Sequence, residues 1–447
     1  MYFISLVLGI IQLLLIGFIL ISEIKRKSPA VFLWATLIIM FGIPHLVTAI
    51  FEDMNYSSAV IAQASLFVIG FCIIYLLIRK KRTVNFVKLE ENKFFLIHSS
   101  KIENTVFESM CFVIFLIAII GYTLYFIRAN GDILNTSWAS VRSTEKSYVS
   151  FVGLAERIIF MFSGLSMFYF LTNRRVKSAV VLLLFAVMVL VTRNRVEVLP
   201  ILIFFIVLYL LKIKKIKIKH IVIGIALAIL VIYIVYGIRA FRWLGSLSNA
   251  FSSFSIEYIN KTVLGFISSK DGELGLRQYF YYFISKNNDF VGFNRCYTYI
   301  RMLLVYIPSQ FSLGLKPQSF DLYMGQAIGM ASGGSMHPTL FGDCFGNLYW
   351  FGILLGGVWA AIANGIDTLI NRQKFDFYKI MIFFLGSYSF VVVGRGSVYN
   401  GFEVLAWGML FLWILKCLTP QLVNIRFTFG HRTLHAERHK GMNDEQE

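Results

Sequence analysis

The chain has 447 residues, of which 57% are hydrophobic, 16% aromatic and only 15% charged. That mix excludes an ordinary soluble globular domain, where about a quarter of residues carry charge. The formal charge of +18 invites a nucleic-acid reading, but most lysines and arginines sit in short clusters between apolar runs, so they read as topology signals and no nucleic-acid partner is expected.

In chain order, apolar stretches occupy Tyr2 to Ile21, Ala30 to Phe51, Ser58 to Ile78, Val106 to Phe126, Ser150 to Leu171, Ser178 to Val191, Val196 to Leu211 and Ile221 to Gly237. After a long polar interval come Phe345 to Ile366, Tyr378 to Gly394 and Val404 to Leu415. A span needs about 20 apolar residues, so the expectation is an all-α integral membrane protein with about eleven transmembrane helices. The first stretch lacks a basic leader and a small-residue cleavage site, and is expected to stay as a span. The parts are spans 1–237, one large loop 238–344, spans 345–417, and a basic tail 418–447 polar enough to be partly disordered.

Basic clusters lie at Lys25 to Lys27, Arg79 to Arg82, Arg174 to Lys177, Lys212 to Lys219, Arg372 to Lys374 and after Lys416. They fall in every second connection. The positive-inside rule makes those connections cytoplasmic, with the N-terminus and the long loop outside. Within the loop, short helices are expected at Leu276 to Ile284 and Tyr297 to Tyr306, then a Pro/Gly/Ser-rich stretch from Ile307 to Pro338.

Arg193, Arg195, Arg239, Arg242 and Arg395 break the charge pattern, because they stand at the outer ends of spans. The run Ser178 to Val191 rises only about 21 Å, which would sink Arg193 and Arg195 below the surface of a core about 30 Å thick. Arginines there need partners or a watery cavity. Glu197 and Glu403 offer two partners, but the excess of cations points to an anionic ligand, and guanidinium forks suit phosphate oxygens. The loop adds Glu257, Asp271, Glu273, Arg277, Lys316, Asp321, His337 and Asp343. Glu273 and His337 are candidate proton acceptors, against plainer roles at a helix N-terminus and in an interfacial hydrogen bond.

Gly352 and Gly356 fit small-residue helix packing. The five cysteines show no metal spacing, and Cys296 and Cys344 are a candidate disulfide pair only if the fold brings them together. His431, His435 and His439 read as a solvated basic face. No phosphate-binding glycine loop and no Asp-x-Asp is present, so no nucleotide, metal or other cofactor is expected.

The pieces Gly272-Glu273-Leu274-Gly275, Ile307-Pro308-Ser309 with Lys316-Pro317, His337-Pro338-Thr339-Leu340-Phe341-Gly342 and Phe351 to Gly357, with Thr192-Arg193 ending a mid-chain span, resemble bacterial O-antigen polymerases of the Wzy type. The resemblance implies a GT-C-like membrane architecture in the bacterial inner membrane and a metal-independent, inverting glycosyl transfer. The substrates implied are undecaprenyl pyrophosphate-linked oligosaccharides, joined into O-antigen or a related surface glycan, with a chain-length regulator and a flippase as implied partners. By the same resemblance Arg193, Arg239, Arg242 and Arg395 would neutralise pyrophosphate, while Arg195, Arg277, Lys316 and Asp343 are further candidate substrate contacts. Glu273 or His337 would be the base. The O-antigen ligase is the nearest alternative, but its external histidine motif differs from His337-Pro338. A flippase is the other.

Overall fold

A computed structural model describes residues 1–51, 55–81, 83–84, 102–131, 135–136, 151–192, 198–212, 275–286, 292–327, 337–373 and 376–443, with scattered positions between 222 and 261. No strand occurs among them. The reason is physical: in a bilayer each backbone amide needs a partner, and an apolar helix satisfies its own.

The long helices are α1 (Tyr2–Arg26), α2 (Val31–Phe51), α3 (Ser58–Ile78), α4 (Ile102–Asn130), α5 (Gly153–Leu171), α6 (Arg175–Thr192) and α7 (Leu199–Lys212). The loop region contributes α8 (Arg277–Lys286), α9 (Tyr297–Leu303) and α10 (Phe320–Ala327). Then follow α11 (Leu340–Leu348), α12 (Leu355–Arg372), α13 (Asp376–Arg395) and α14 (Val398–Asn443). Among the described residues nine helices are long and apolar enough to cross a membrane, counting α11 and α12 as one, and α7 is a shorter apolar helix. The expected span Ile221 to Gly237 lies mostly outside the described residues.

One expectation changes: the tail, expected to be partly disordered, continues α14 as helix to Asn443. Helix α6 has 18 residues, but its first turn carries Arg175 and Lys177, so the apolar run that follows keeps its expected length, and Arg193 lies outside the described residues.

Helix α13 is the axis of the bundle, with 94% of its span buried, against 28% for α1 and 33% for α6. Its neighbours approach closely at small residues. A Cβ on Gly164 would meet the Phe384 ring at 2.8 Å, and one on Gly408 would strike Leu385. The Gly352/Gly356 pattern behaves as expected: a side chain on Gly356 would run into the backbone of Phe71 in α3.

The basic connections gather at one end. Arg79, after α3, donates to Glu23 of α1 at 2.8 and 2.7 Å and to Asp367 of α12 at 2.5 Å. Arg174 pairs with Glu108 of α4 at 2.6 Å, and Lys416 donates to Gln373 at 2.6 Å. The loop helices pack at the opposite end, not as a separate unit but seated on the spans. Tyr281 and Ser65 sit 2.6 and 2.7 Å from the two ring nitrogens of buried His45, joining α8 to α2 and α3. Ser65 also donates to Ile61 O at 3.2 Å. With that hydroxyl proton committed, Nε2–H donates to Ser65 and Nδ1 accepts from Tyr281, which describes a neutral imidazole.

Candidate functional site

At the end opposite the basic connections, the loop helices and the ends of α11, α13 and α14 border a small open cleft of about 20 Å³, walled in part by Thr298, Asp321, His337, Asp343, Gly396 and Tyr399. Its geometry starts from Pro338. Proline favours extended backbone in the residue before it, so His337 cannot extend α11, which begins at Leu340. The Pro338 carbonyl lies directly against Gly396, which joins α13 to α14 with φ 104°. A side chain there would clash with the carbonyl and need a disfavoured backbone, so only glycine fits.

Asp343 falls one turn into α11 and is 3% exposed. Its Oδ2 accepts from the Thr298 hydroxyl at 2.9 Å, and Oδ1 has no hydrogen-bond partner among the described residues. Asn347, the next turn on, accepts from Thr298 N at 3.0 Å and donates to Thr298 Oγ1 at 3.0 Å. Thr298 is thereby clamped and Asp343 held in place. Across the cleft, His337 Nδ1 is 3.8 Å from Asp321 Oδ2 in α10, with both side chains about four-fifths buried.

Tyr399, in the first turn of α14, forms one wall, and charged side chains gather around it. Its hydroxyl donates to Glu403 at 3.1 Å, and Arg157 of α5 donates to the other oxygen of Glu403 at 2.9 Å. The Arg301 guanidinium stands 4.4 Å from the Tyr399 ring centre and Lys316 Nζ 5.5 Å from it. Partial burial and the neighbouring Arg301 hold the Lys316 ammonium below its ordinary range. Around Tyr399 three cations thus share Glu403, while Asp321 and Asp343 bring two further carboxyl groups to the opposite wall of the cleft. The local excess on the Tyr399 side favours an anion there.

His337 and Asp343 of the sequence candidates meet in this cleft, Lys316 borders it, and Arg395 is half-buried one residue before Gly396. Arg277 instead donates to Thr48 Oγ1 at 2.9 Å, on the joint of α8 with α2. Glu273, Arg193, Arg195, Arg239 and Arg242 lie outside the described residues. The suggested partner of Arg395, Glu403, engages Arg157 and Tyr399. Cys296 and Cys344 are both free. Sequence reasoning missed Arg157, Arg301, Thr298 and Tyr399. Arg157 carried a usable signal, an ionisable residue within an apolar span. Arg301 and Thr298 carried none, since a short polar helix looks the same wherever it docks.

Comparison with protein-family models, characterised proteins and solved structures gave no match to this chain.

Proposed function

We propose that the chain is a metal-independent glycosyltransferase that polymerises lipid-linked oligosaccharide repeat units at the outer face of a bacterial cytoplasmic membrane. The observation that carries the reading is the pairing of a carboxylate–imidazole cleft with a surplus of cations, at the end of the bundle away from the basic connections. In the proposed step, an acceptor hydroxyl attacks the anomeric carbon of the growing glycan while the bond from that carbon to the diphosphate oxygen breaks. The diphosphate leaves with the bonding electrons. Arg301, Lys316 and Arg157, with Arg395 and the candidates Arg193, Arg239 and Arg242, would balance the negative charge growing on it. His337 would take the hydroxyl proton, and Asp321, 3.8 Å from Nδ1, would orient the ring and favour its charged form.

Deleting the gene and separating surface glycan by gel tests the reading. Loss of polymerisation should leave lipid A core bearing one repeat unit. Core with no repeat would favour a ligase or flippase. The flippase reading has one specific feature in its favour, the break in Leu340–Arg372, where Tyr349 takes φ 53° and interrupts the helix. His337→Ala should lower polymerisation by about 10²- to 10⁴-fold while the protein still inserts. Arg395→Ala should abolish the glycan ladder, and a normal ladder would remove that arginine from the diphosphate role.

A further inference from the structure

Between α9 and α10 the chain runs down the side of α14 and returns. Arg301 starts level with Tyr399, in the first turn of that helix. Further along, the Tyr306 hydroxyl donates to Ala406 O at 3.1 Å, and its ring meets Trp407 edge-on at 5.5 Å. From Tyr399 to Ala406 is two helical turns, about 10 Å of descent. Lys316 is then level with Tyr399 again, and Arg301 donates to the Pro317 carbonyl at 2.7 Å, closing the neck of a hairpin. The stretch of α14 it follows belongs to the apolar span Val398–Pro420.

The surface of this hairpin is mainly apolar, with Ser309 an exposed polar exception. Leu303 is 85% exposed, Phe311 74%, Leu313 93% and Leu315 71%, while Met302 and Val305 face the protein. Residues 302–316 contain no carboxylate, and their one cation, Lys316, is at the neck. Irregular backbone at membrane depth must satisfy its own polar groups. Here Ile307 N donates to Leu304 O at 3.1 Å, Phe311 N to Pro308 O at 3.0 Å and Leu315 N to Ser312 O at 2.8 Å. Pro308 has no N–H to satisfy, and Lys316 Nζ reaches into the hairpin to the Ile307 carbonyl at 2.8 Å.

We infer that residues 302–316 form a hairpin seated in the membrane interface, its exposed apolar side chains inserted among lipid acyl chains and its neck cations, Arg301 and Lys316, level with the lipid phosphates. The occupant is the bilayer rather than a protein, because the segment descends beside an apolar span and turns its leucines away from the bundle. This depends on the membrane-spanning architecture alone and stands whether or not the chain polymerises glycans.

The test uses the full-length chain, with Cys296 and Cys417 changed to Ser, in vesicles of phosphatidylcholine and phosphatidylglycerol. A nitroxide is attached at Leu303→Cys, Leu313→Cys or Gln318→Cys, the last being exposed beyond the neck. These side chains lie on the surface, and a melting midpoint equal to that of the unlabelled parent confirms that each variant is folded. Relaxation is then measured with dissolved oxygen and with a water-soluble nickel chelate. The ratio of oxygen to nickel collisions should rise severalfold at 303 and 313 over 318. A nickel chelate that reaches 313 as freely as 318 places the tip in water. Screening from both reagents places it against protein, such as a second copy of the chain. Either result overturns the inference.

Discussion

Two ionic assemblies stand at opposite ends of this bundle and follow different rules. At the basic end, Arg79 is enclosed by Glu23, Asp367, Ser28 and Asn364, with the side chains of Arg79 and its two carboxylates at 0–1% exposure. Every strong donor there has an acceptor, and the assembly ties α1, α3 and α12 together. At the other end, Arg157, Arg301 and Lys316 gather around Tyr399 and Glu403, partly open to solvent and short of negative charge. Charge balance separates the two. A closed assembly holds helices together, whereas an unbalanced one beside a cleft can still bind an anion.

That contrast predicts different failures. The largest effect is expected from Arg79→Met, which leaves buried Asp367 without a cation and Glu23 with Arg26 alone, and should cost about 3–5 kcal/mol. A melting series in detergent reads it. Changing Asp367 to Asn in the same chain should recover most of the loss, since Glu23 keeps Arg26 and no carboxylate is then stranded. If the single variant melts like the parent, the basic-end assembly is not a structural clamp. Next, Lys316→Met should lower glycan polymerisation about 10²-fold while shifting stability by no more than about 1 kcal/mol. Parallel losses of activity and stability would place that cluster with the scaffold. The smallest effect belongs to the joint between the regions. His45→Phe removes both ring hydrogen bonds, to Ser65 and to Tyr281, and should cost about 1–3 kcal/mol. Hydrogen exchange should then speed up in α8 and remain slow in α13. Uniform exchange in both would show that α8 is not held through His45.

The helical membrane architecture was legible in the sequence because apolar length and clustered cations are local properties. The short helices near Leu276 and Tyr297 were legible for the same reason, and they form at Arg277–Lys286 and Tyr297–Leu303. Site composition was only half legible. His337, Asp343 and Lys316 were found as polar residues near the end of the loop. Arg277 was grouped with them, but its side chain reaches from α8 to Thr48 of α2, because sequence proximity gives no direction to a side chain. The pairing of Glu403 with Arg157 depends on α5 meeting α14, a contact no local pattern encodes.

The sequence by itself determined that this chain solves its solvation problem in a bilayer and which connections carry the positive charge, since both follow from runs of residue types along one dimension. Only the tertiary structure decided which cations are enclosed by buried carboxylates and which stand beside the cleft. It also showed that a leucine-rich loop segment descends beside α14. Those outcomes depend on distances of a few ångströms between residues far apart in the chain, set by how helices pack rather than by what each helix contains.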